Sequence, residues 1–212
     1  MHRRLVRDLP ALAARTPGLT FHDLYEAYPD FDVDVAREQA LLVAHDLIVV
    51  QHPFYWYSTP ALLKQWEDLV LEHGWAYGSR GLALAGKRVL HVITLGGGAQ
   101  AYRRGGYNRF TLRELLAPLD QTARLCRMTF LPPYAVFGTH GLDDASVERE
   151  GARYTRLIAA LAADQVTWPD DDCDAARDGA SSTGERVVDG DAVDALLAGV
   201  PDPAAVTAGI GS

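Results

Sequence analysis

Two short apolar runs with one sharply punctuated helix between them constrain this chain more than anything else in it. DLIVVQHP (46–53) and KRVLHVIT (87–94) are continuous rather than alternating, the pattern of strands covered on both faces. Between them, TPALLKQWEDLVLEHGW (59–75) sets Leu62, Leu63, Trp66, Leu69 and Val70 on one helical stripe. Thr59 is the expected N-cap, Pro60 the first helical residue and Gly74 the stop. Strand, helix and strand in that order need a crossover, which predicts an α/β fold with a parallel sheet.

The flanking segments continue the alternation. Leu5, Leu9 and Leu12 predict a helix over 3–15, stopped by Thr16, Pro17 and Gly18. LTFHDLY (19–25) reads as a short strand, and Asp34 as the cap of a helix over 35–45. Residues 111–125 read as a helix, MTFLPPYAVFG (128–138) as a last strand region, and 144–163 as a closing helix.

Charge divides the chain. Its net charge of −8 belongs to the end of the sequence: residues 1–163 carry about +1, and residues 164–212 about −9. The first part is expected to be one domain, and 164–212 an acidic, flexible extension with one docking segment at 191–200. A near-neutral body without a basic stripe argues against a nucleic-acid partner. No apolar run approaches the ~20 residues of a membrane span, and MHRRLVRDLPALAAR lacks a secretory apolar stretch. A cytoplasmic protein is expected.

Two cysteines, Cys126 and Cys173, make no disulfide scaffold, and seven histidines show no metal-ligand spacing. Cys126 reads as a small buried hydrophobe. Cys173 has acidic neighbours that disfavour a thiolate. His52 reads as a structural hydrogen-bonding group at a strand end.

In open parallel sheets ligands sit beyond the carboxyl ends of the strands, and two such loops are unusual here. QHPFYWYSTP (51–60) packs Phe54, Tyr55, Trp56 and Tyr57 between two prolines. It can wall a flat heteroaromatic ligand, or it can plug the core. TLGGGAQAY (94–102) has three successive glycines that allow close backbone approach. It is neither a Walker loop nor a Rossmann fingerprint, and by composition it can equally be a plain turn.

Taken together, QHPFYWYSTPALLKQWEDLVLEHGWAYG, GLALAGKRVLHVITLGGGAQAY and LCRMTFLPPYAVFG resemble the NAD(P)H:quinone oxidoreductases of flavodoxin-like fold. FHDLYEAYPDFDVDVAREQALL and YNRFTLRELLAPLDQTARLCRM narrow the resemblance to the ancillary subunits of glutathione-gated potassium-efflux antiporters. The resemblance spans about 1–163. It implies that Pro53, Phe54, Tyr55, Trp56 and Tyr57 wrap a flavin ring, and that Thr94, Gly96 and Gly97 hydrogen-bond its polar edge. Tyr102 would assist charge development during hydride transfer. Where the family usually has a histidine six residues further on, this chain has Asn108. Trp75 and Tyr77 would close the site from a partner subunit, implying a homodimer. The implied cofactor is FAD, with FMN the other candidate, and NAD(P)H and a quinone are the implied substrates. Arg80, Arg103, Arg104 and Arg109 either attract the nucleotide phosphates or the quinone, or form a solvated face. An antiporter partner would place the protein at the inner face of the cell membrane. A binding subunit with little catalysis, or a relative that only dimerises, are the other readings.

The same resemblance implies an opening strand and phosphate-binding loop ahead of the first helix, in strand order 2-1-3-4-5, which this sequence does not show. Either Met1 is an internal start, the natural chain being ~20 residues longer, or the protein is a shortened relative. In both cases the 212-residue chain is expected to bind flavin less well than a full-length relative and to purify with little colour.

Overall fold

β1 (Leu47–Pro53) and β2 (Arg88–Thr94) lie side by side and parallel, from Leu47 opposite Arg88 to Pro53 opposite Thr94. The computed structural model describes residues 2–169 and 187–200. On its other edge β2 pairs in parallel with both β3 (Thr129–Phe130) and β4 (Tyr134–Val136). β2 is therefore the central strand. All its residues except Arg88 are buried, whereas most of β1 is only half buried.

The helices α1 (His2–Leu5), α2 (Leu9–Arg15), α3 (Leu24–Ala27), α4 (Val35–Ala44), α5 (Ala61–Val70), α6 (Leu112–Leu115), α7 (Ala117–Leu125), α8 (Asp144–Ala162) and α9 (Gly190–Leu196) surround this sheet. One face carries α1, α2 and α8, whose Leu5, Leu9, Leu12, Tyr154 and Leu157 pack with Leu90 and Val92. A second cluster joins Leu42 of α4 to Leu62 and Val70 of α5. The chain belongs to the open α/β class expected from the alternation.

Several boundaries moved for local reasons. Asp34 does cap α4, accepting from the Arg37 N–H at 3.0 Å. Thr59 does not cap α5. Pro60 is the N-cap, with no side-chain bond, and Thr59 Oγ1 is buried without a partner. α5 ends at Val70, because Leu71 leaves helical geometry (φ −85°, ψ 65°), and Gly74 serves the following turn at φ 86°. Leu69, placed on the apolar stripe by its spacing, stays 41 % exposed.

The strand expected at 19–25 does not form. The Asp23 carboxylate accepts from the N–H groups of Tyr25 and Glu26 and starts α3 instead. No described strand lies along the outer edge of β1, so this segment has no ladder to join. It is held by Glu38, a buried carboxylate of α4. Glu38 accepts from Tyr28 Oη (2.5 Å) and Trp66 Nε1 (2.9 Å), and lies 2.9 Å from His22 Nε2. These bonds hold the carboxyl below its ordinary range although burial acts the other way.

Packing also continues past residue 163. Val166, Trp168, Val188, Val193 and Leu197 are buried in the main core, and Trp168 Nε1 donates to Pro132 O at 2.9 Å. Val188 forms a parallel bridge with Tyr134, and Asp189 caps α9. Composition hid this because the apolar residues are few and widely spaced among acids. The expected docking segment at 191–200 lies in this region. Residues 170–186, including Cys173, and 201–212 lie outside the described residues.

Candidate functional site

The loops after β1 and β2 meet because their strands are neighbours. Phe54 N–H donates to Thr94 O at 2.9 Å, fastening the aromatic turn to the start of the glycine loop. Tyr55 and Ser58 exchange both backbone hydrogen bonds (3.0 and 2.9 Å) around Trp56 and Tyr57, whose φ values are 50° and 62°. Two consecutive left-handed aromatic residues are the mirror-image turn that Asn-Gly usually supplies. Such positions cost of order 1 kcal/mol or more each, and such strain gathers at functional sites. The strained residues are also exposed: Trp56 is 93 % accessible.

Tyr102 closes the other side. It ends a short 3-10 helix (Ala99–Tyr102), packs on Phe54 with centroids 6.2 Å apart, and on Phe137 at 5.9 Å. A Cβ on Gly97 would lie 3.2 Å from its ring, so glycine there permits the close approach. Tyr57 Oη donates to Asn108 Oδ1 at 3.2 Å, and Asn108 also hydrogen-bonds Tyr102. Burial, then the neighbouring Tyr57, raises the Tyr102 phenol above its ordinary value, against the Asn108 and Gly97 hydrogen bonds. It stays protonated and available as a donor at neutral pH.

These residues fit a flavin ring on their own chemistry. The N–H groups of Gly96 and Gly98 make no backbone hydrogen bond among the described residues, so they are free for carbonyl and ring-nitrogen acceptors, while the Gly97 N–H is turned to the Tyr102 hydroxyl. Gly98 has open space where a side chain would stand. Gln51 Nε2, at the end of β1, is buried without a partner. Aromatic rings supply the flat walls.

The structure thus gathers Pro53, Phe54, Tyr57, Thr94, Gly96, Gly97 and Tyr102 at one end of the sheet, with Tyr55 and Trp56 projecting from the turn. Trp75 and Tyr77 lie in the turn after α5, half buried in the α4–α5 cluster, and Tyr77 lines a cleft together with Phe54 and Tyr57. Arg104 pairs with Glu114 at 3.0 Å. Sequence reasoning missed Phe137 and His140, the latter packed on Gly96. Both follow β4, so the rule that singled out the other two loops applied to them.

His52 does take the structural role expected of it. Its Nδ1 lies 3.0 Å from Pro53 O, and its Nε2 lies 3.2 Å from Nδ1 of buried His91. The carbonyl assigns the Nδ1 proton to His52, which makes its Nε2 the acceptor and His91 Nδ1 the donor. Burial pushes His52 down to about 4 and His91 well below its ordinary value. Both rings are neutral. Cys126 is buried, which raises its thiol pKa.

The fold and the two-loop site define a flavodoxin-like protein. The family model described as "Flavodoxin-like fold" matches residues 2–158, and the chain belongs to that family. It is 47 % identical over 142 residues to the uncharacterized NAD(P)H oxidoreductase YrkL of Bacillus subtilis, covering 67 % of this chain and 82 % of that protein. It is 45 % identical over 146 residues to the glutathione-regulated potassium-efflux system ancillary protein KefF of Klebsiella aerogenes (69 % and 81 % covered). Among solved structures, general stress protein 14 of Treponema denticola in complex with FMN matches with TM-score 0.69 and 39 % identity, over 76 % of this chain and 90 % of that one. An NADPH-quinone reductase from P. pentosaceus matches with TM-score 0.55 and 33 % identity (68 % and 89 % covered).

Proposed function

We propose that the chain is a flavin-dependent NAD(P)H:quinone oxidoreductase. The observation that carries this is the meeting of a strained, exposed aromatic turn with a glycine loop whose Gly96 and Gly98 N–H groups make no backbone hydrogen bond, at the carboxyl ends of adjacent parallel strands. Its relatives named NAD(P)H oxidoreductase and NADPH-quinone reductase support the reading.

When bound, the flavin supplies two-electron hydride exchange between nicotinamide and quinone. The residues hold and orient it. Pro53, Phe54, Tyr55, Trp56 and Tyr57 border the ring, while Thr94, Gly96 and Gly97 present backbone groups to its polar edge. Tyr102, kept protonated, donates a hydrogen bond where negative charge gathers. Asn108 holds the Tyr57 and Tyr102 hydroxyls in place without itself titrating. Trp75 and Tyr77 complete the site from a second subunit in a homodimer, a reading tested by the mass of the particle in solution.

The resemblance implies FAD, and the Treponema relative's complex holds FMN. Titration with each flavin separates the two, followed by NADH or NADPH oxidation with a soluble naphthoquinone. Flavin-stimulated oxidation that falls at least tenfold in Tyr102→Phe or Trp56→Gly supports the proposal. Oxidation independent of added flavin, or unchanged in both variants, contradicts it.

A second role, docking on the cytoplasmic face of a potassium-efflux antiporter, is favoured by the likeness to KefF. Among the described residues no helix is long and apolar enough to cross a membrane, so the contact would be peripheral. Co-purification with a co-expressed antiporter tests it.

A further inference from the structure

Behind the aromatic turn, on the side away from the glycine loop, a cleft of about 320 Å³ opens between α5 and the α6–α7 pair. That volume is at the lower end of small-molecule pockets. Phe54 and Tyr57 line it together with Leu116, Leu119 and buried Cys126, and Thr94, Gly96, Gly97 and Tyr102 do not. The flavin reading uses Phe54, Tyr57 and Tyr77 of its lining but puts no part of the flavin in the cleft itself.

Two polar groups in this cleft lack partners. Thr59 Oγ1 is buried and makes no hydrogen bond. The Glu67 carboxyl, on the inner side of α5, accepts no hydrogen bond among the described residues. Burial pushes it up to about 7, against the pull of Lys64 and with the help of Asp68. The nearest cation is engaged elsewhere, since Lys64 donates to Asp68 one helical turn away. Two carboxylates against one ammonium leave the cleft net negative, which disfavours a phosphate or another anionic ligand.

A carboxylate half removed from water and without a donor gains most from a cation that brings its own N–H groups. The apolar lining favours a hydrocarbon body. We propose that this cleft is a second small-molecule site that takes an aromatic or alicyclic amine, its ammonium on Glu67 and its body against Phe54, Tyr57 and Leu119.

The test uses the flavin-free full chain, so its outcome does not depend on the redox reading. Calorimetric titrations at pH 8 compare 2-phenylethylamine with neutral 2-phenylethanol and anionic 3-phenylpropionate. The amine is expected to bind at least tenfold tighter than the alcohol, and the acid not to saturate. At pH 6 the amine's advantage should shrink, because Glu67 then carries a proton. Glu67→Gln removes a half-buried charge at pH 8 and should fold at least as well as the wild type. In it, amine and alcohol should bind alike. Leu119→Trp, which fills the cleft, should abolish both. Equal binding of amine and alcohol to the wild type, a preference that survives Glu67→Gln, binding untouched by Leu119→Trp, or no saturation by the amine would each overturn the proposal.

Discussion

His52 and His91 sit as a neutral, hydrogen-bonded pair inside the sheet, and that makes the protein acid-sensitive. As pH falls below about 6.5 the unfolded chain takes up protons that the folded His52 refuses until about 4. The stability this group contributes is therefore complete above about 6.5 and is lost between about 6.5 and 4. For His52 the loss is on the order of 3 kcal/mol. Thermal melts from pH 7.5 to 4.5 should show a fall in Tm that is clearly smaller in His52→Gln. Equal pH dependence in the two proteins would refute the assignment. Glu38 acts at the same scale through satisfaction rather than titration. Glu38→Ala leaves buried Tyr28 Oη and half-buried Trp66 Nε1 without their acceptor. It should cost about 2–4 kcal/mol in denaturant melts.

Among the elements, the aromatic turn and α9 make opposite contributions. The turn spends stability on geometry, with Trp56 and Tyr57 in left-handed conformations that glycine would adopt freely. Trp56→Gly should leave Tm unchanged or slightly higher while weakening flavin binding at least tenfold, a split that fluorescence titration and melting resolve together. The α9 segment adds stability. Val188, Val193 and Leu197 are each at most 2 % exposed, and Arg153 pairs with Asp194 at 2.7 Å. Burying each apolar side chain is worth roughly 1.5–3 kcal/mol. Truncation after residue 163 should therefore lower Tm by many degrees, and an unchanged Tm would show that the packing past 163 is dispensable. The legibility of the sequence follows the same division. β1, α5, β2 and the Asp34 cap were readable because apolar periodicity and capping chemistry are local. The strand expected at 19–25 failed because a ladder needs a neighbour, which local pattern cannot report, and Asp23 offered a helix start instead. The docking of 187–197 was obscured because its few apolar residues are diluted by acids. At the site, the two loops could be singled out by composition. Their fastening through Phe54 and Thr94, the Asn108 bridge between two tyrosines, and the contribution of Phe137 depend on strands brought together from distant parts of the chain.

For the whole molecule, the parallel order of β1, β2 and β4 places three strand-end loops side by side, and the family relationship gives that arrangement a redox context. The claim on which the rest depends is that Phe54, Trp56, Tyr57, Gly97 and Tyr102 together receive a flavin ring. Quenching of flavin fluorescence on titration with the purified chain, run beside Trp56→Gly and Tyr102→Phe, tests it most directly. Saturable quenching by the wild type is expected, with at least a tenfold loss of affinity in Trp56→Gly. Absence of saturable quenching, or identical curves for the wild type and both variants, would contradict it.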